Sequence, residues 1–113
     1  MKVAIAHNSD KQMVPLEMAE YITIFDDSDN TIKEYENDGY GSKEATMGEI
    51  LRFEPDTVAV KEGILCPGSY MMSRGLVKYA MVKDNSLEEI IKNKEFSVDV
   101  KEDLPEEVYA END

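Results

Sequence analysis

Two side chains in this sequence offer chemistry that no other position repeats. Cys66 is the only cysteine and His7 the only histidine. A thiolate is the soft donor that iron–sulfur or copper sites require, and an imidazole suits iron, zinc or nickel. Cys66 is followed by Pro-Gly-Ser (67–69). Proline fits the first turn of a helix, where its missing N–H has no intrahelical partner. The positive end of a helix starting there would lower the pKa of the thiol. Against this, most isolated cysteines are small half-buried hydrophobes, and no Cys-x-x-Cys spacing supports a metal. His7 ends the apolar run KVAIAH (2–7), before Asn-Ser-Asp. It stands either at the carboxyl edge where open α/β sheets bind ligands, or as a residue that satisfies a turn. If both residues follow neighbouring parallel strands, they could converge on one cleft.

Three further positions belong to that edge. Gly63 and Gly68 flank Cys66 and would let backbone approach a ligand closely. Ser42 reads as the N-cap of a helix able to hold an anion, although a solvated cap is the commoner role. Other chemistries lack their residues. Gly39-Tyr40-Gly41 has no following Gly-Lys-Ser/Thr, so it is no phosphate loop. Asp10, Asp26 and Asp56 fall at strand ends or in loops, not in the cluster that a two-metal nuclease needs. His7 would be the only base for a Ser–His–Asp set, and nothing orders a nucleophile beside it. The sequence therefore reads as non-enzymatic.

The elements that must position these residues follow from pattern. Residues 2–7 form an apolar strand, and 20–26 and 31–36 form a hairpin around Asp-Ser-Asp-Asn. A helix from Ser42 stops at Glu54-Pro55-Asp56, and 57–61 returns as a strand. A short helix from Pro67 to about Gly75 leads to a strand at 78–82, making a parallel βαβ unit. Ser86-Leu87-Glu88-Glu89 matches a capping box for a last helix. The order predicts an α/β domain with a mixed five-stranded sheet and helices on its faces. Residues 96–100 (FSVDV) alternate as an edge strand would.

The chain has 113 residues, 42% hydrophobic and 33% charged, which suits one folded domain. Its net charge of −13 excludes nucleic acid as a main partner, because phosphate contacts need Lys and Arg. Residues 95–113 carry eight acidic groups against Lys101, a net −7. They read as an acidic tail, flexible or an added edge strand, beyond a body of 1–94. One cysteine cannot form an internal disulfide and no apolar run is long enough to span a membrane, so a cytoplasmic setting is expected.

The phrases MKVAIAHNSD, AEYITIFDDSDNTIKEYEN, GSKEATMGEILRFEPDTVAVKEGI and GLVKYAMVKDNSLEEIIKN, in that order, resemble the dinitrogenase iron–molybdenum cofactor-binding family over residues 1 to about 93. The resemblance implies a three-layer α/β/α fold of the ribonuclease H-like type. It also implies a carrier or assembly accessory for a metal–sulfur cofactor, an iron–sulfur or iron–molybdenum-type cluster. Cys66 would be the anchoring ligand, His7 a second one, and a protein of cofactor assembly a further partner. Two departures stand out. Pro15 or Leu16 in VPLEMAEY occupies the place of the histidine in the family's Ser-x-His-Phe-Gly segment, and Cys66-Pro67 replaces a common Gly-Pro. The alternative is a protein-interaction module of the same fold without a metal, docking through its acidic tail. A monomer or weak homodimer suits either reading.

Overall fold

The computed structural model describes residues 1–111. Strand β1 (Lys2–His7) is followed by a 3₁₀ turn at Leu16–Met18, then β2 (Tyr21–Asp26) and β3 (Thr31–Glu36). Helix α1 (Lys43–Arg52), β4 (Thr57–Val60), α2 (Pro67–Ser73), β5 (Lys78–Met81) and α3 (Leu87–Lys92) come next. A 3₁₀ turn at Glu95–Ser97, a two-residue β6 (Val100–Lys101) and a single-turn α4 (Glu106–Tyr109) complete the order.

The sheet is mixed, in the order β3-β2-β1-β4-β5-β6. β1, β4 and β5 run parallel, whereas β2, β3 and β6 pair antiparallel with their neighbours. It has six strands, not the expected five. The extra one pairs Lys101 with Tyr79 and Val100 with Ala80. The expected strand at 96–100 shrinks to two residues. Lys94 takes a left-handed conformation (φ 53°), the chain coils through Glu95–Ser97, and Phe96 turns into the core. Burying that ring outweighs ladder bonds that an exposed edge would share with water.

Aromatic contacts identify the layers. Tyr35 of β3 stacks on Phe53 at the end of α1, and Tyr79 of β5 packs on Tyr70 of α2. Phe25 lies on the opposite face, since it sits three residues along β2 from Ile22, the partner of Tyr35. It packs against Phe96, whose turn neighbours α3. Helices therefore cover both faces of an α/β/α sandwich. Val3, Ala4, Ile5 and Ala6 are buried throughout, as a central strand covered on both sides requires.

The acidic segment supplies more than charge. Leu104 and Val108 are buried, Tyr109 stacks on Tyr70 at 4.1 Å, and the Leu104 N–H donates to the Tyr70 hydroxyl. The Gly63 N–H donates to the carbonyl of Val108, which brings this segment beside the loop that carries Cys66.

Candidate functional site

The loop after β4 is shaped by Gly63, whose φ of +88° is a conformation that other residues adopt at a cost of about 1 kcal/mol or more. The chain then extends through Cys66 (φ −122°, ψ 170°), the N-cap of α2. Its Sγ accepts from the Ser69 N–H at 3.4 Å, while the Cys66 N–H donates to Ser69 Oγ at 2.9 Å. This is a capping box with sulfur in the place of the usual hydroxyl. The thiol donates to Glu44 Oε1 at 3.3 Å, so a carboxylate from α1 lies across the start of α2.

Gly68 explains how that carboxylate fits. A Cβ there would stand 2.5 Å from Glu44 Oε1, so the group that approaches this backbone closely is a side chain of the protein itself. Ser42 caps α1, its Oγ accepting from the Ala45 N–H at 3.0 Å. Lys43 reaches across to donate to the carbonyls of Gly63 and Leu65 at 3.3 and 3.2 Å, tying the two helix starts together. Between them opens a cleft of about 580 Å³ whose walls include Ser42, Lys43, Glu44, Gly63 and Cys66. Glu17 and Glu111 also reach it, with Lys43 Nζ 3.8 Å from Glu17. Three carboxylates face one ammonium, and one of them already occupies the α2 terminus.

The first helix is aimed by a buried polar cluster. Thr46 Oγ1 donates to the carbonyl of Leu16 and accepts from Asn37 Nδ2, which also donates to the carbonyl of Ala19. Gly39 packs so closely on α1 that a Cβ would meet the backbone of Ala45 and Thr46 at 2.5 Å. Buried groups of this kind hold their geometry because an unmade bond would cost about 1–3 kcal/mol.

His7 lies elsewhere. It shares a sheet face with Tyr21 and Thr23, the face of Phe25 and Phe96, whereas Cys66 and Glu44 belong to the α1–α2 face. The ring is fully buried, with Nδ1 2.8 Å from the carbonyl of Asn8 and Nε2 2.7 Å from Thr23 Oγ1. A carbonyl only accepts, so Nδ1 carries the proton and Nε2 accepts from the Thr23 hydroxyl. Burial holds the pKa of His7 below its ordinary value, against the Asn8 carbonyl and Glu34, which favour the charged ring. The structure thus brings Ser42, Gly63, Gly68 and Cys66 together and leaves His7 apart. Glu44, Glu17 and Glu111 join the site with no local sequence signal beyond the place of Glu44 in the first turn of a helix.

Among the described residues no group of three or more His, Cys, Asp or Glu is arranged to hold a metal ion, and no helix is long and apolar enough to cross a membrane. No family model matches the chain, and no curated protein matches it. A solved structure from Thermotoga, provisionally described as a NifB protein belonging to the DUF35 family, is similar to it. The TM-score is 0.62 at 16% identity, over 88% of this chain and 90% of that chain. The likeness shows a shared fold.

Proposed function

We propose that this chain is a non-enzymatic binding protein, and that its ligand enters the cleft between the starts of α1 and α2. The observation that carries this reading is the junction itself. The only thiol, itself buried at 2% exposure, lines one cleft with the two helix starts and the Gly63 turn at the carboxyl edge of the sheet. The resemblance to the iron–molybdenum cofactor-binding family, and the fold shared with a protein described as NifB, make a metal–sulfur cofactor the ligand class to test first.

The residues present limit how such a cofactor would be held. They do not fit a cluster ligated entirely by the protein, because Cys66 has no second soft donor beside it and His7 faces the other side of the sheet. What remains is attachment through one sulfur, for which Glu44 would have to swing away. Its carboxylate is a flexible side chain on an exposed helix turn, so rotation is sterically open.

Glu44 also favours a second reading, a protein-interaction module with no metal. A carboxylate resting on the thiol, beside the start of α2, opposes an anionic ligand there. Anaerobic reconstitution with iron and sulfide separates the two. The first reading expects iron uptake with visible absorption, lost in Cys66→Ser and increased in Glu44→Gln. If the wild-type chain takes up no iron, or Cys66→Ser takes up as much, the second reading stands.

A further inference from the structure

The outer edge of the sheet at β3 is bare. β3 pairs with β2 over six residues without a bulge, and among the described residues nothing pairs with its other side. An outer strand leaves alternate N–H and C=O groups to water, ready to template another strand. The strand contains no proline, and no residue in it is fully buried. Its one protection is charge. Residues 26–38 hold six acidic groups against Lys33, a net −5 in thirteen positions.

Charge decides which occupant suits this edge. Two copies of β3 meeting antiparallel about a two-fold axis must keep each face continuous, so one residue faces its own copy. The registers that use most of the strand are centred on 33 or 34, and set Lys33 against Lys33 or Glu34 against Glu34. Like charges directly opposite are destabilising. A second copy is therefore disfavoured, and a chain of opposite charge is favoured.

Grooves at the end of β3 point the same way. One, of about 470 Å³, is lined by Glu20, Tyr21, Glu36, Asp38 and the exposed Tyr40. Another, of about 490 Å³, includes Tyr35, Glu49 and Phe53. Tyr21 and Glu36 are cross-strand partners on the Phe25 face, whereas Tyr35 stacks on Phe53 on the α1 face. Among the described residues Glu20, Glu36 and Asp38 form no ion pair, while Glu34 is held by Lys11 and Glu49 by Arg52. We propose that β3 is the docking edge for a basic, extended segment of a partner protein, which adds to the sheet as a seventh strand. Backbone bonds supply the pairing. Alternate side chains enter the two grooves, where Lys or Arg stems lie on the tyrosine rings and their heads meet the carboxylates that form no ion pair. This inference stands independently of any ligand at Cys66.

The test uses three labelled nine-residue peptides on the full chain: alternating Lys and Val, the same peptide with alternate backbone amides methylated, and a Glu–Val analogue. Anisotropy should show binding of the Lys–Val peptide alone. Hydrogen exchange at the β3 amides should slow at least tenfold when it is bound. Glu36→Lys with Asp38→Lys should weaken binding at least tenfold, and Lys33→Glu should tighten it. Equal binding of the methylated peptide would overturn strand addition and leave bare charge attraction. Protection confined to other strands, no binding at all, or a dimer in sedimentation that protects β3 would each overturn the proposal.

Discussion

The end of β1 and the joint between β4 and α2 look alike as sequence. Each follows an apolar run with a residue able to bind a metal, His7 as the last residue of β1 and Cys66 six residues past the end of β4, and β1 and β4 are parallel neighbours. They differ in what holds the side chain. His7 still belongs to its strand, so the pleat assigns it a face, and there both ring nitrogens find partners. Cys66 has left its strand and caps a helix, so its sulfur lies at the mouth of a cleft with Glu44 across it. A donor inside a strand is committed by alternation. A donor in the following turn escapes alternation, and what holds the buried Cys66 sulfur is its bonds to Ser69 and Glu44.

That contrast predicts unequal responses to substitution. His7→Ala should destabilise the fold by roughly 3 kcal/mol, because it leaves a cavity and strands the Thr23 hydroxyl. Urea unfolding measures this, and a loss under about 1 kcal/mol would mean that the buried ring is dispensable. Acidification acts on the same residue. The folded pKa of His7 lies below its ordinary 6.5, so the fold favours the neutral ring. Its contribution is complete above pH 6.5 and is lost as pH falls from there toward the folded value. His7→Gln, which removes the titrating ring, should flatten that part of the pH profile. An unchanged profile in His7→Gln would break the assignment.

Cys66 should matter less to stability. Cys66→Ala removes a cap and should cost about 1 kcal/mol, whereas Cys66→Ser supplies a better capping atom and should stay within about 0.5 kcal/mol of wild type. The smallest structural change, Gly68→Ala, sharpens the comparison most. Its Cβ would displace the Glu44 carboxylate, so alkylation of Cys66 by iodoacetamide should speed up while the melting temperature moves little. Unchanged labelling would mean that Glu44 does not cover the sulfur.

Much of this arrangement is legible before any coordinates. The helix starts at Ser42, Pro67 and Ser86 carry local signatures in capping residues and proline, and the structure begins its helices there. The parallel β4–α2–β5 unit follows from strand and helix lengths. Residues 95–111 are harder. Leu104, Val108 and Tyr109 sit singly among acids, and only the partners they find on the body, such as Tyr70, distinguish them from a solvated tail. The Asn37–Thr46 bond joins residues nine positions apart across a loop, and no periodicity announces it.

The sequence by itself determined an α/β chain, its helix caps, and a single cysteine placed at a helix start, because these depend on neighbours within a few residues. Only the tertiary structure decided that His7 and Cys66 lie on opposite faces and that Glu44 covers the thiol. It also decided that the long open edge of the sheet is the six-residue β3, while the acidic C-terminal segment forms the opposite edge with only two residues. Those outcomes depend on pleat register and on which distant side chains fill each space, and neither is encoded locally.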